Sequence, residues 1–244
     1  SSTPLQGVAM VSHGGKLYRA GGFTARNKQG EKKDLFSTDE FSVFDPQTKE
    51  WTVLPHLPEP RSSHDIAVLN DKLYVVGGWS MQGNGNKSVW HQTAWVYDLA
   101  QEASGKWMEI AKPTSIRRAL TLGAHQGKIY AIGGMYEEGS TTTETLVYDA
   151  ANNIWAQGPD LPGEDGDGFG ASAFAEGGKL YVSGISGKLH RLSEDGQQWE
   201  EAGELAHKRF FHRMLPMQDG QFILVGGSNM KTGKVKELEV LASP

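Results

Sequence analysis

The stretch from Ser62 to Trp107 contains Ile66-Ala-Val-Leu69, a turn at Asn70-Asp-Lys72, Leu73-Tyr-Val-Val-Gly-Gly78, a polar loop, Ala94-Trp-Val-Tyr-Asp98 and Trp107. Short apolar runs bounded by turn residues predict strands rather than helices. The spacing therefore predicts four short strands, with Tyr97 near the end of the third and Trp107 opening the fourth.

The rest of the chain repeats this unit. Leu17-Tyr-Arg-Ala-Gly-Gly22, Ile129-Tyr-Ala-Ile-Gly-Gly134, Leu180-Tyr-Val-Ser-Gly184 and Phe222-Ile-Leu-Val-Gly-Gly227 restate the second strand. Phe44 with Trp51, Tyr148 with Trp155 and Leu192 with Trp199 restate the Tyr97 and Trp107 pair. A recurrence of about 45 to 55 residues, with four strands, a glycine doublet and an aromatic pair in each unit, is the signature of propeller blades. With these features repeated along nearly its whole length, the chain resembles the kelch repeat family. The resemblance implies an all-β, kelch-type β-propeller of about five recognisable four-stranded blades, the last incomplete. It also implies a single propeller domain, 1–244, with blades at about 8–54, 65–110, 120–157, 171–202 and 211–241. In this reading the motif residues are structural: glycine lets neighbouring backbones approach, and Tyr and Trp supply large buried surfaces.

Composition bounds the function. The chain has 244 residues, 31 glycines and a formal net charge of −5. Without basic runs or amphipathic helices, it has no features of a nucleic-acid or membrane-surface binder. It has no cysteine, so no disulfide forms. The kelch-like galactose oxidases need a Cys-Tyr crosslink and copper ligands, so that enzyme type is excluded. No cofactor or metal is expected: the eight histidines show no compact metal-ligand spacing, and no nucleophile-elbow pattern is present. The sequence contains no signal peptide or transmembrane run. It opens Ser1-Ser-Thr-Pro4 rather than with Met. Upstream sequence supplying a strand or a further blade is therefore expected in the intact protein, and a periplasmic or secreted bacterial setting is favoured over the cytoplasm. A last blade without its outer strand leaves an edge at 237–241, where self-association is expected.

The loops differ in character. The first blade carries a charged loop, 24–39, read as a solvated surface excursion. The second carries 79–93, where Trp79 and Trp90 either stack on a ligand or fold back on their own blade. In Pro162-Gly-Glu-Asp-Gly-Asp-Gly-Phe-Gly170, the carboxylates are too few and too irregular for a calcium loop, so the segment reads as an inter-blade turn.

The sharpest feature outside the repeat core is Arg-x-x-His. Arg61, Arg117 and Arg209 occupy equivalent positions before blades two, three and five, and His64 and His212 follow the first and last. Planar guanidiniums on an upper face favour carboxylate, sulfate or phosphate. Against that stands the structural reading, in which each arginine donates to loop carbonyls. Before blade four the equivalent position is Asp167 or Gly168, with Glu164 and Asp165 beside it.

Two function classes follow. One is a ligand-binding module that presents its Arg/His-lined upper face to a protein or glycan without catalysis, as the kelch resemblance most often implies. The other, by analogy with kelch-type sialic acid mutarotases, is an isomerase acting on an acidic sugar. In that case Arg117 and Arg209 would bind the carboxylate, and Glu164 or Asp165 would carry the proton.

Overall fold

A computed structural model of the protein describes residues 4–217 and 220–242. The chain forms two compact units, Ser1–Arg118 and Ala119–Pro244.

In the first unit, β1 (Ala9–His13), β2 (Lys16–Ala20), a short pair β3 (Phe23–Ala25) and β4 (Leu35–Ser37), β5 (Phe41–Asp45) and β6 (Glu50–Leu54) follow in order. Sheet one is β1-β2-β5-β6. Next come β7 (Asp65–Leu69), β8 (Lys72–Val76), another short pair β9 (Trp79–Ser80) and β10 (Val89–Trp90), β11 (Trp95–Asp98) and β12 (Trp107–Glu109). Sheet two is β7-β8-β11-β12, as the strand spacing predicts.

The second unit holds three sheets. Sheet three is β13 (Thr121–His125), β14 (Lys128–Met135), β15 (Thr141–Asp149) and β16 (Ile154–Gln157). Sheet four is β17 (Ser172–Glu176), β18 (Lys179–Ser183), β19 (Lys188–Leu192) and β20 (Trp199–Glu204). It is a complete four-stranded sheet although its glycine doublet and one aromatic are missing. In sheet five, β21 (Phe210–Pro216) pairs with β22 (Gln221–Asn229), while β23 (Gly233–Lys234) and β24 (Glu239–Ala242) pair in succession with the other side of β22. No strand among the described residues pairs the outer edge of β24.

Within each unit, consecutive sheets stack through strand alternation, which puts every second side chain on one face. Tyr18, Ala20, Phe41 and Val43 of sheet one are buried against Ile66, Leu73, Val75 and Tyr97 of sheet two. Phe41 meets Tyr97 and Trp107 edge-on, with centroids 5.2 and 5.1 Å apart. In the second unit, Tyr130 and Ile132 meet Leu180, Val182, Leu192 and Trp199, and Tyr181 and Leu189 meet Met214, Phe222 and Leu224. The outer-strand tryptophans are polar anchors as well. The Trp107 indole N–H donates to the Pro55 carbonyl and that of Trp199 to the Pro159 carbonyl, each at 2.9 Å.

The glycine doublets hold the next sheet close. A Cβ on Gly21 would lie 2.1 Å from the Arg61 carbonyl oxygen, and Gly22 N–H donates to that oxygen at 2.8 Å. Gly78 N–H donates in the same way to the Arg117 carbonyl at 2.8 Å.

The loop at 24–39 is exposed at 28–33, in line with its reading as a solvated excursion, while its base forms a hairpin that the sequence reading did not include. Thr24 pairs with Phe36 and Ala25 with Leu35, forming the β3/β4 hairpin. The Arg26 guanidinium stacks 3.7 Å from the centre of the Phe36 ring. Charge dominates the tip of this loop, but apolar residues at its base, above all Phe36, give it something to pack.

Tyr181 is fully buried between sheets four and five, with its ring 4.9 Å from that of Phe222. Tyr181→Ala is expected to cost about 3–5 kcal/mol in urea denaturation. A loss below about 1 kcal/mol would mean that these sheets do not depend on each other.

Candidate functional site

The three arginines singled out by sequence are among the most buried side chains of the molecule. Arg61 Nη1 donates to the carbonyls of Gly77 and Thr93, both at 2.9 Å. Its Nη2 donates to Glu59 Oε2 at 2.8 Å and Thr93 Oγ1 at 2.6 Å. The same Glu59 oxygen accepts from Thr93 Oγ1 at 2.5 Å and the Trp95 indole at 3.2 Å. Burial acts to raise the Glu59 carboxyl, but the Thr93 hydrogen bond and the charges of His91 and Arg61 hold it below the usual carboxylate range. Burial pulls Arg61 down to about 10, against the pull of Glu59, which leaves it charged at neutral pH.

Arg209 repeats this pattern in the second unit. Its Nε donates to the His207 carbonyl at 3.0 Å, and its Nη1 to the carbonyls of Gly226 and Glu237 at 3.2 and 2.9 Å. Its Nη2 donates to Glu239 Oε2 at 3.2 Å. The carboxylate has moved from two residues before the arginine to thirty residues after it, yet the clamp is the same. Each cation ties the segment entering a sheet to the glycine doublet and to the segment leading into the third strand. Arg117 is likewise buried. A guanidinium bonded in this way does not line an open face, a difference from the sequence expectation for Arg61 and Arg209.

The two histidines are also interior. The His64 ring lies so close to Gly21 that a Cβ there would sit 2.6 Å from His64 Cε1. His212 Nε2 and Ser183 Oγ are 2.8 Å apart, which bonds sheet five to sheet four. Burial, with Arg209 and Arg213 nearby, pushes His212 down to about 3. At neutral pH it is an uncharged, very weak base, unsuited to activating Ser183 as a nucleophile.

Before sheet four, the buried residue is Asp167. Its Oδ1 accepts from Ser186 N–H at 2.8 Å and its Oδ2 from Glu164 N–H at 3.1 Å, across the one-turn 3-10 segment Asp165–Gly168. Glu164 and Asp165 are exposed, and neither forms an ion pair with an arginine among the described residues.

Trp90 lies directly across from Trp79 in its own hairpin, with ring centroids 5.4 Å apart, and both rings stay half-exposed. The Arg118 guanidinium stacks 4.3 Å from the Trp79 ring centre and 5.5 Å from that of Trp90. This hairpin is joined to β3/β4. Ser37 N–H donates to the Met81 carbonyl at 2.9 Å, and Asn84 N–H to Asp34 Oδ1 at 2.6 Å. A cleft of about 390 Å³ lies elsewhere, between Tyr130, Ile154 and Gln197, and contains none of the arginine or histidine positions. Among the described residues no three His, Asp or Glu side chains are grouped to hold a metal.

Sheets of this topology, with doublet, aromatic pair and arginine clamp repeated, match the family described as the KLHDC2/KLHL20/DRC7 Kelch-repeats domain over residues 7–227. The chain belongs to the kelch-repeat family. Kelch-like protein terF of Aspergillus terreus is 33% identical over 153 residues, covering 60% of this chain and 31% of that protein. Kelch-like protein 41a of Danio rerio is 25% identical over 246 aligned positions, covering 96% of this chain and 38% of that protein. The chain thus spans about a third of the length of these relatives. The solved structure of YjhT superposes with a TM-score of 0.76 at 18% identity, over 98% of this chain and 82% of that one. The kelch propeller has a fold match as well as a family match.

The sequence reading missed Glu59 and Glu239. Glu59 stands two residues before Arg61 and was legible as a local partner, whereas Glu239 is distant in sequence from Arg209 and carries no local signal. Arg61→Ala and Arg209→Ala are each expected to lose about 3–5 kcal/mol in chemical denaturation, because each strands a carboxylate and several carbonyls. An unchanged midpoint would return these residues to the role of ligand contacts.

His212 makes stability pH-dependent. Its folded-state value lies below its unfolded value, so its contribution is intact above about pH 6.5 and is lost as pH falls toward about 3. The limiting slope is about 1.4 kcal/mol per pH unit. In His212→Gln the fall between pH 6 and 4 is expected to be shallower than in the parent chain. Identical slopes would contradict a buried neutral imidazole.

Proposed function

We propose that the chain is a non-catalytic, protein-binding kelch propeller. In the first unit, its contact surface is the joined pair of hairpins β3/β4 and β9/β10. The observation that carries this reading is the pairing of those hairpins into one ordered projection that presents half-exposed Trp79 and Trp90 and exposed Val89. Aromatic residues held in place are effective protein contacts, since little side-chain entropy is lost on binding. The internal bonding of Arg61 and Arg209 supports the same reading, because four donor contacts of each guanidinium already end on this chain's own carbonyls, hydroxyl and carboxylates. Contact between copies through the open edge of β24 is part of this proposal.

The test is selection of binding peptides from a displayed library on the parent chain, followed by affinity measurement on Trp90→Ala and on Arg61→Lys. Trp90→Ala is expected to weaken binding about tenfold or more while leaving the melting midpoint nearly unchanged. A parallel thermal screen against acidic sugars is expected to show no shift. Stabilisation of about 2.7 kcal/mol by such a sugar at a hundredfold excess over its Kd would favour the isomerase reading instead.

A further inference from the structure

The gap beside the second-strand tyrosine is filled differently in the two units. In the first, β2 opens with Lys16-Leu-Tyr18, and the connection from β11 to β12 sends the 3-10 segment Leu99–Ser104 toward this pair. Glu102 of that segment accepts from Lys16 Nζ at 2.5 Å and lies 3.5 Å from the Tyr18 hydroxyl. A carboxylate carried on a turn of chain thus bridges an ammonium and a phenol.

In the second unit β14 opens with the same pair, Lys128-Ile-Tyr130, but sheet four connects β19 to β20 only by the short turn 193–198. The corresponding gap is the cleft of about 390 Å³, whose walls include Lys128, Tyr130, Val147, Ile154 and Gln197. Tyr130 is 4% exposed, and its hydroxyl reaches the turn: a Cβ on Gly196 would lie 3.2 Å from it. Among the described residues that hydroxyl makes no hydrogen bond and Lys128 no ion pair. A polar group in the wall of a cleft takes its partner from whatever enters.

Two carboxylates, Asp149 and Asp195, also line the cleft. Each is turned into its own loop. Asp149 accepts from the Ala151 and Asn152 N–H groups and the Asn152 amide, and Asp195 from the Ser193 hydroxyl and Gln197 N–H. Asp45 stands near Lys16 in the same manner without keeping Glu102 away.

We propose that the cleft between sheets three and four binds an acidic peptide segment, whose carboxylate is received by Lys128 and the Tyr130 hydroxyl as Glu102 is received by Lys16 and Tyr18. The first unit carries this assignment, because there the same pair holds a carboxylate borne on a turn of polypeptide. The rim fits a peptide as well: Gln126, Gln157 and Gln197 offer amide donors and acceptors to a backbone, and half-exposed Ile154 offers apolar cover. None of the first-unit hairpin residues takes part, so this site is independent of the one under Proposed function.

The test is an NMR titration of the whole chain with a capped peptide copying Asp98 to Gly105, which carries Glu102. Amides at 128–130 and 195–197 are expected to shift and saturate in the millimolar range. A peptide with Glu102→Gln, and the Tyr130→Phe chain, are each expected to bind about tenfold more weakly, since each removes a charge-assisted hydrogen bond. Lys128→Met is expected to weaken binding about threefold, as fits an exposed cation. Tyr130→Phe loses a hydroxyl that has no protein partner among the described residues, so it is expected to melt as the parent does. Trp90→Ala is expected to bind this peptide unchanged, which separates failure here from failure of the hairpin reading. No shift at these amides with peptide on the order of 10 mM, or binding indifferent to both Tyr130→Phe and Lys128→Met, would overturn the inference. Acetate moving the same amides as strongly as the peptide would overturn the assignment to a peptide.

Discussion

Each four-stranded sheet of this chain depends on the face of another. A sheet of four short strands has two faces, and in a blade repeat neither is polar enough to be left in water. The Tyr of the second strand and the Trp of the outer strand solve this together. The tyrosine fills the face toward the following sheet, while the tryptophan packs back on the preceding one and donates its indole N–H to a proline carbonyl there. The proline belongs to Leu54-Pro-His-Leu-Pro58 in one case and precedes Leu161-Pro162 in the other, so the connection itself repeats. Close approach at the inner end is set by the glycine doublets, where a side chain at Gly21 would collide with the Arg61 carbonyl.

The buried arginines follow from that close approach. Bringing the entry segment against the doublet strands several carbonyls away from water, and unpaired buried carbonyls are costly. A guanidinium has five donors in a plane, enough to bond two strand segments and a carboxylate at once. Arg61 and Arg209 do this with carboxylates drawn from unrelated places, Glu59 and Glu239. Recurrence of the cation with a wandering partner is the mark of a structural requirement in the backbone, and the chemistry available at neutral pH agrees: a charged arginine bonded to carbonyls and a carboxylate, and a histidine too weakly basic to take a proton. The connections between second and third strands vary most: 79–93 and 24–39 are long, whereas sheet four has only the short 186–187 turn.

The fold was legible in the sequence because its strongest signals are periodic. The Tyr of the second strand, the doublet and the Trp stand at fixed distances, and those positions became the observed interfaces. The open third-strand edge of sheet five was legible for the same reason. The site was less so. Arg-x-x-His identified the right residues, but sequence alone does not say whether a guanidinium turns inward, and the acceptors that decide this, Gly77, Thr93 and Gly226, are backbone atoms or distant residues. At 24–39 the charged tip is exposed as read, and what the sequence left out is the hairpin at its base, held by Phe36 and Leu35. The pairing of Trp90 with Trp79 across a two-residue ladder was open because an aromatic in a polar loop is compatible with either outcome.

Native-state hydrogen exchange tests the stacking account most directly. β18 has Leu180, Tyr181, Val182 and Ser183 all buried, with cover on both faces. β24 is covered on one face and paired on one edge only. At a concentration where the chain is monomeric, the account predicts that β18 amides exchange only through global unfolding, while those of β24 exchange orders of magnitude faster through local opening. Equal protection of β18 and β24 would contradict it, since each sheet would then be stable without cover from a neighbour.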